Sequence, residues 1–272
     1  MSEEIVVVAG LGEVGRPLLC ILERKYNSLG IDVAPVEIVG RCSVLHICYP
    51  FQVKDFIGTT VTYINKYHPR LTIINSTVAV GTTREVQARV DSPVVYSPVR
   101  GKHAKMEQDM LSYRKFVAGF DLQSTQKAAQ HFARAGFGVA TFPNPEAGEL
   151  SKLLETTWLG MLIGWAQDVE RMAARCNASY DDVNAFIQEI DYLPKGVFPG
   201  FIGGHCVMPN IAILRETFKS RFLDAVVESN ESKEQELMVA AGPKPTPGSA
   251  VVQAAKSECL TKPRMHDGDA RT

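Results

Sequence analysis

The residue types with the most chemistry to offer lie in Phe198-Pro-Gly-Phe-Ile-Gly-Gly-His-Cys206, a thiol set in a glycine-rich loop. Gly200, Gly203 and Gly204 let backbone pass close to a ligand, so the loop is expected to be built around something bound, with Gly203 on its substrate side. A cysteine placed there can attack a carbonyl; the alternative is an inert thiol packed in a tight turn. Lys152, Glu155 and Thr156 stand at i, i+3 and i+4, which puts them on one face of a helix. Beside a thiol and a hydride acceptor, the Lys152 ammonium is a natural donor to a developing alkoxide, though lysines next to apolar stripes also serve as snorkelling surface residues. Together these groups point to redox chemistry on an alcohol or carbonyl.

Such chemistry needs a cofactor, and the N-terminus supplies a place for one. An apolar run, Ile5 to Ala9, leads into Gly10-Leu-Gly12-Glu13-Val14-Gly15 and then a helical stretch, with Asp32 following at the end of the next strand, 20 residues after Gly12. The glycines allow a tight turn and close approach of a pyrophosphate to backbone N–H groups, those of Glu13 and Val14 included, at a helix N-terminus. Asp32 can accept from both ribose hydroxyls and would repel a 2′-phosphate, which selects NAD over NADP. Thr77, in Asn75-Ser-Thr-Val-Ala-Val-Gly-Thr-Thr83, follows another strand of the same sheet and faces either the nicotinamide and substrate or the cap of the next helix. Arg100 and His103, in Ser97-Pro-Val-Arg-Gly-Lys-His103, gather cationic groups suited to an anionic substrate, or form a solvated loop. No set of His, Cys, Asp and Glu has metal-ligand spacing.

The elements that must position these residues alternate. Between Glu4 and Phe142, short β-branched runs (Ile5–Ala9, Ser28–Val33, Val44–Tyr49, Thr72–Asn75, Val94–Tyr96, Lys115–Ala118, Gly138–Phe142) are separated by helical or polar stretches. This predicts an α/β fold: a Rossmann-like, doubly wound, mostly parallel sheet over residues 1–142. Between Asp32 and Val44 only eleven residues are available, too few for an ordinary crossover with a regular helix. A small all-helical domain over 143–241 is built on one long helix from Pro145 to about Cys176, whose Trp158, Met161, Leu162 and Trp165 predict a homodimer through residues 145–176. A helix from Tyr180 to Ile190 and another from near Pro209 past Phe222 follow, and residues 242–272 read as a disordered tail. A net charge of −1 offers no footprint for nucleic acid, and no apolar run reaches the roughly 20 residues of a membrane span. Six scattered cysteines without a CxxC pair, and no signal-peptide pattern, predict a reduced, cytoplasmic protein with a small-molecule partner.

Gly-Leu-Gly-Glu-Val-Gly, Ile-Cys-Tyr-Pro, Asn-Ser-Thr-Val-Ala-Val-Gly-Thr-Thr, Tyr-Ser-Pro-Val-Arg, Glu-Leu-Ser-Lys-Leu-Leu-Glu-Thr-Thr and Pro-Gly-Phe-Ile-Gly-Gly-His-Cys together resemble the UDP-glucose/GDP-mannose dehydrogenase family, in that family's order, over about residues 4–215. The resemblance implies NAD-dependent oxidation of a nucleotide-sugar alcohol to a carboxylate in two hydride transfers, as used in polysaccharide biosynthesis. It makes Cys206 the nucleophile that carries the aldehyde as a thiohemiacetal and then a thioester, Lys152 the alkoxide stabiliser, and Thr77 the threonine near the reactive water. Three positions depart from the family: Val99 stands for a glutamate, Thr156 for an asparagine, and Asn210, still expected to face substrate, for an aspartate. The family's C-terminal nucleotide-sugar-binding domain has no counterpart in the residues that remain. A single-hydride enzyme of β-hydroxyacid dehydrogenase type and a catalytically silent NAD-binding or assembly protein are the alternative readings.

Overall fold

A computed structural model describes residues 3–32, 36–101 and 103–241. Strand β1 (Glu4–Ala9) is buried at every position after Glu4. Its Val6 and Val8 enter one apolar cluster while Ile5, Val7 and Ala9 enter another, as a strand does at the centre of a sheet covered on both faces. It pairs in parallel with β2 (Ser28–Ile31) and β3 (Arg41–Ile47). β4 (Leu71–Ile74) and β5 (Val94–Tyr96) extend the parallel sheet, giving the order β2-β1-β3-β4-β5. Helices α1 (Gly15–Leu22), α4 (Met106–Ser112) and α5 (Leu122–Arg134) bury Leu18, Ile21, Met106, Met110 and Phe132 on one face. Helices α2 (Phe56–Tyr67) and α3 (Thr82–Gln87) bury Phe56, Ile64 and Val86 on the other. A parallel pair, β6 (Lys115–Val117) with β7 (Val139–Thr141), joins the sheet through one antiparallel bridge between Tyr96 and Ala118. The α/β, Rossmann-like architecture with a mostly parallel sheet is as the alternation of elements predicted.

The crossover that looked too short is short. β2 and β3 are separated by residues 32–40, and the described ones, Asp32 and 36–40, form no helix. The hydroxyls of Tyr63 and Tyr67 on α2 hold the segment by donating to the carbonyls of Asp32 (3.3 Å) and Val36 (2.8 Å). β2 is therefore the edge strand next to the central β1.

The long helix α6 (Pro145–Arg175) begins with Asn144, whose side chain accepts from the N–H of Ala147, and with Pro145 in its first turn. It meets the sheet through Glu149, a fully buried carboxylate that accepts from the N–H groups of Gly81 (2.7 Å) and Thr83 (2.8 Å) and from the Thr83 hydroxyl (2.6 Å). Those are the orphan donors of the α3 N-terminus, so a side chain of one helix completes the start of another. Burial raises the Glu149 carboxyl above its ordinary pKa, and these same hydrogen bonds pull it back. α7 (Tyr180–Gln188) starts on a capping box formed by Ser179 and Asp182. Sequence periodicity predicts one helix from Pro209 past Phe222; the structure instead has α8 (Val207–Thr217) and α9 (Arg221–Ala241). Phe218 is extended (φ −119°, ψ 125°), and the break lets α9 fold back so that Val226 and Ser229 lie on Gly164 of α6. One turn earlier a Cβ at Gly160 would sit 2.6 Å from Val207, so α8 packs closely there. Leu153, Ile202, Ile211, Leu223 and Val226 form the core of this helical part. Residues through Glu234 belong to one compact unit. The expected tail, 242–272, lies outside the described residues.

Candidate active site

The turn after β1 is shaped by three glycines with three different reasons. Gly10 has φ +91°, donates its N–H to the carbonyl of Ile31 (2.8 Å), and has the end of β3 so close that a Cβ would lie 2.5 Å from the Tyr49 nitrogen. A Cβ on Gly15 would lie 1.7 Å from the Gly10 carbonyl oxygen, so the turn closes directly on the first residue of α1. At Gly12 a Cβ would meet nothing within 4 Å. The turn is thus tight where it touches protein and bare at its middle glycine. Val14 is the N-cap residue of α1, and no side chain caps that terminus; the Arg16 N–H donates to the Gly12 carbonyl (3.2 Å) and Pro17 has none, so an anion there would be met by the N–H groups of the turn just before them. Glu13 is exposed and Val14 half-buried. Asp32, exposed, directly follows Ile31, whose carbonyl the turn already holds. The switch in strand order, from β1 outward to β2 and back across to β3, falls at this turn, the usual ligand crevice of open α/β sheets. The bare glycine, uncapped helix end and rim carboxylate fit a dinucleotide.

Thr77 leaves the C-terminal end of β4 on the same rim. It is half-buried, and its hydroxyl has no hydrogen-bond partner among the described residues. The competing role as a helix cap is not its own: the N-cap of α3 is Gly81, and Glu149 satisfies its donors. Arg100 is folded back onto β6. Its guanidinium donates to the Arg114 carbonyl (2.6 Å) and lies 5.3 Å from the ring centres of both Tyr113 and Phe116. His103 opens a short 3-10 turn through Lys105; its side chain, and Lys102, lie outside the described residues. Val99 is buried in the apolar cluster beside Met106 and Met110.

The remaining candidates meet on α6 and α8. Asn210 donates through Nδ2 to Thr156 Oγ1 at 2.8 Å, and both residues are buried. Gly160 faces Val207 and Ile211, so α6 and α8 run antiparallel. Cys206, the exposed N-cap residue of α8, then stands level with Gly160, two helical turns or roughly 12 Å along α6 from Lys152. Lys152 Nζ is tied to Glu155 Oε2 at 2.8 Å with its side chain 13% exposed. Lys152 lies about two turns along α6 from Gly160, the position that packs on Val207 directly after Cys206. The Cys206 loop is firmly held. Ile202 is plugged into the helical core, its N–H and carbonyl both bound by the Asn230 side chain, and the Gly200 carbonyl accepts from Gln167 Nε2. Gly203 is exposed beside the Phe201 ring.

Sequence reasoning overlooked Lys115. Its ammonium is buried and spends three donors on Asn75 Oδ1 (3.2 Å), the Ser97 carbonyl (2.8 Å) and the Pro98 carbonyl (2.9 Å). The signal was present: a lysine inside an apolar strand run is almost never buried without a reason. Among the described residues no helix is long and apolar enough to cross a membrane, and no group of His, Cys, Asp and Glu is placed to hold a metal.

Residues 146–232 match the model of the UDP-glucose/GDP-mannose dehydrogenase family, central domain, a stretch that runs from the start of α6 into α9. Two UDP-N-acetyl-D-mannosamine dehydrogenases are similar in sequence. That of Methanococcus vannielii is 21% identical over 233 residues, covering 79% of this chain and 53% of the relative. That of Methanocaldococcus jannaschii is 21% identical over 211 residues, covering 71% and 48%. The chain spans about half the length of these curated relatives. In fold it is similar to a UDP-D-ManNAc dehydrogenase of Pyrococcus horikoshii, with a TM-score of 0.73 at 16% identity over 88% of this chain and 70% of that one. It is also similar to a 3-hydroxyisobutyrate dehydrogenase of Mycobacterium tuberculosis, with a TM-score of 0.62 at 14% identity over 89% and 95%. The similarity to the UDP-glucose/GDP-mannose dehydrogenase family thus rests on the central-domain stretch 146–232.

Proposed function

We propose that the protein is an NAD-dependent dehydrogenase that oxidises a CH–OH group of an anionic sugar substrate, of which a nucleotide sugar is the first candidate. The reading is carried by one arrangement: an open glycine turn with Asp32 on its rim in the same compact unit as a family-type helix pair that presents Lys152 and Cys206. Gly10, Gly12 and Gly15, with the N–H groups at Glu13 and Val14, hold the pyrophosphate of NAD, and Asp32 takes the adenosine ribose. NAD, when bound, supplies the hydride acceptor. Lys152 faces the substrate oxygen and stabilises the alkoxide that forms as its proton leaves. Cys206 Sγ adds to the aldehyde carbon, and the N–H groups of Val207 and Met208 in the first turn of α8 face the resulting oxyanion. With a second NAD as acceptor, loss of hydride from the thiohemiacetal would give the thioester, and Thr77 orients the water that cleaves it and releases the thiol. Arg100, Gly203 and Asn210 serve the substrate side, Asn210 indirectly through Thr156, and His103 is a further candidate on the sequence reading alone. The fit with the relatives named for UDP-N-acetyl-D-mannosamine makes that compound the one to try first, with turnover followed at 340 nm; no turnover across nucleotide sugars and hydroxyacids would leave the silent NAD-binding reading.

A single-hydride reaction of β-hydroxyacid dehydrogenase type is the second reading. It is favoured by the fate of the three departures: Val99 is packed among apolar side chains, and Thr156 and Asn210 satisfy each other. The first oxidation needs Lys152, whereas thioester hydrolysis needs the polar neighbours that these residues have replaced. Product stoichiometry separates the readings, two NADH per substrate against one. A homodimer along α6 completes the proposal. Trp158 and Trp165 are 57% and 59% exposed, and they edge a groove of about 270 Å³ that Leu162, Ile187 and Leu193 also line. Exposed aromatics of this size on one face fit a second copy, in a reducing, cytoplasmic setting.

A further inference from the structure

The Lys115 ammonium is a buried cation without an anion. Its three N–H donors go to one amide and two peptide carbonyls, and the ring of Phe132 on α5 lies 5.0 Å away. The titratable and charged groups that act on it are Cys48 just after β3, Arg100 in the loop after β5, and Lys152 on α6; no carboxylate among the described residues is one of them. Burial pushes the Cys48 thiol up to about 12, so it stays neutral. Behind Asn75 the network continues. Asn75 Oδ1 accepts from Lys115, so Nδ2 is the donor to His46 Nδ1 (3.1 Å). His46 must then carry its proton on Nε2 and donate it to His131 Nε2 on α5 (3.0 Å). Burial holds both imidazoles neutral, His46 well below its ordinary range and His131 at about 4. The chain is a set of neutral dipoles pointing toward Lys115's acceptor and contributes no negative charge.

An unpaired cation is costly inside a protein, and the charges of two further cations, Arg100 and Lys152, act on it. We infer that Lys115 is a positioning residue which couples the binding of an anionic ligand, on the side of Arg100 and Lys152, to the uptake of a proton. The inference rests on the anionic-substrate reading above. Its physical basis is simple. Burial first, and then the charges of Arg100 and Lys152, bring the Lys115 ammonium down to about 7. An anion held by those two cations offsets their field and adds an attraction of its own, so Lys115 regains its proton in the complex. As the charged form it uses every donor to tie the loop after β4, which carries Thr77, to the loop after β5, which carries Arg100. As a neutral amine it has one donor fewer than acceptors, and one tie is lost.

Titration calorimetry of the full chain with UDP-N-acetyl-D-mannosamine, whose phosphates stay ionised throughout, tests this in PIPES, HEPES and Tris, buffers of different ionisation enthalpy, between pH 6 and 9. A fraction of a proton should be taken up per ligand above about pH 7, and affinity should fall by up to about tenfold per pH unit, the limit for one linked proton. Lys115→Met should show neither effect, and Lys115→Arg should bind with affinity that no longer changes across the range. Where Lys115→Met does not fold, Lys115→Arg, which keeps the charge, carries the comparison: proton uptake equal to that of the wild type overturns the inference. If the sugar nucleotide gives no heat, the substrate reading fails but the coupling is still read with sulfate, which also does not titrate here. Absence of proton uptake by the wild type, or equal uptake by Lys115→Met, overturns the inference.

Discussion

Asp32 and Gly12 occupy opposite sides of one question, which dinucleotide the turn accepts. The carboxylate stands directly after Ile31, and a 2′-phosphate beside it would have to be held without a cation from this segment. NAD should therefore bind well and NADP much more weakly, and Asp32→Ala should narrow the gap; equal affinities in a fluorescence titration of both reduced cofactors would sink the assignment. Lys152 and Cys206 should fail differently. Removal of one donor to a developing oxyanion typically costs about 2.7 to 4 kcal/mol, so Lys152→Ala should slow the first oxidation roughly 10² to 10³-fold. Cys206→Ser should stop the second, because a serine hydroxyl is a far poorer nucleophile. Acid produced at two NADH per substrate by Cys206→Ser would remove the covalent route. Lys115 also leaves a mark on stability. Its folded pKa of about 7 lies below its ordinary value of 10.5, so between those values the unfolded chain holds a proton that the folded one has released. Stability should climb as pH rises through that window, and urea midpoints of Lys115→Met should not follow the climb.

At the scale of elements, the contact that matters most to the site is Glu149 with the start of α3. It anchors the helix that carries Lys152 to the loop that carries Thr77, using two backbone donors and one hydroxyl. Glu149→Leu leaves those donors buried without an acceptor and should cost about 3 kcal/mol, since each orphaned group forfeits about 1–3 kcal/mol. A urea midpoint unchanged by the substitution would show that the helix is held by apolar packing alone. The α6–α8 junction is the second such contact. Thr156 and Asn210 occupy the positions where an asparagine and an aspartate were expected from the family resemblance, and their hydrogen bond shows that the two departures form a matched pair. A neutral pair can be buried at little cost, whereas restoring Asn210→Asp alone would bury a carboxylate against a hydroxyl.

Among the described residues, the outer face of α6 is a large apolar surface left uncovered. Its inner face is filled by Leu153, Ala166, Val169 and Ala173, while Leu154, Trp158, Leu159, Trp165 and Met172 remain exposed. Light scattering at micromolar concentration should give twice the chain mass, and Trp165→Glu, which buries a charge at the centre of such an interface, should give the monomer. A monomeric wild type would reassign the groove between α6 and α7. The shortened β2–β3 crossover belongs to this scale too. Its described residues form neither strand nor helix, yet the glycine turn is kept, because β2 and β3 both pair with β1.

What the sequence determined by itself is whatever depends on neighbours along the chain. Strands of β-branched residues, the glycine turn with an acid 20 residues after Gly12, the α6 span with its Asn144-Pro145 start, and the thinness of the 32–40 crossover were all legible, because propensity, capping and turn chemistry act over a few residues. The separation of α8 from α9 was not, since nothing local stops the helical pattern at Phe218; the requirement that α9 return to Gly164 does. Nor were the partners of Glu149 and Lys115. Both are charged residues in stretches that a pattern reads as helix and strand, and their acceptors and donors come from segments up to 68 residues away. Only the folded chain brings those groups together, and burial, which has no expression in local sequence, is what makes a carboxylate into a helix cap and an ordinary lysine into a cation in need of an anion.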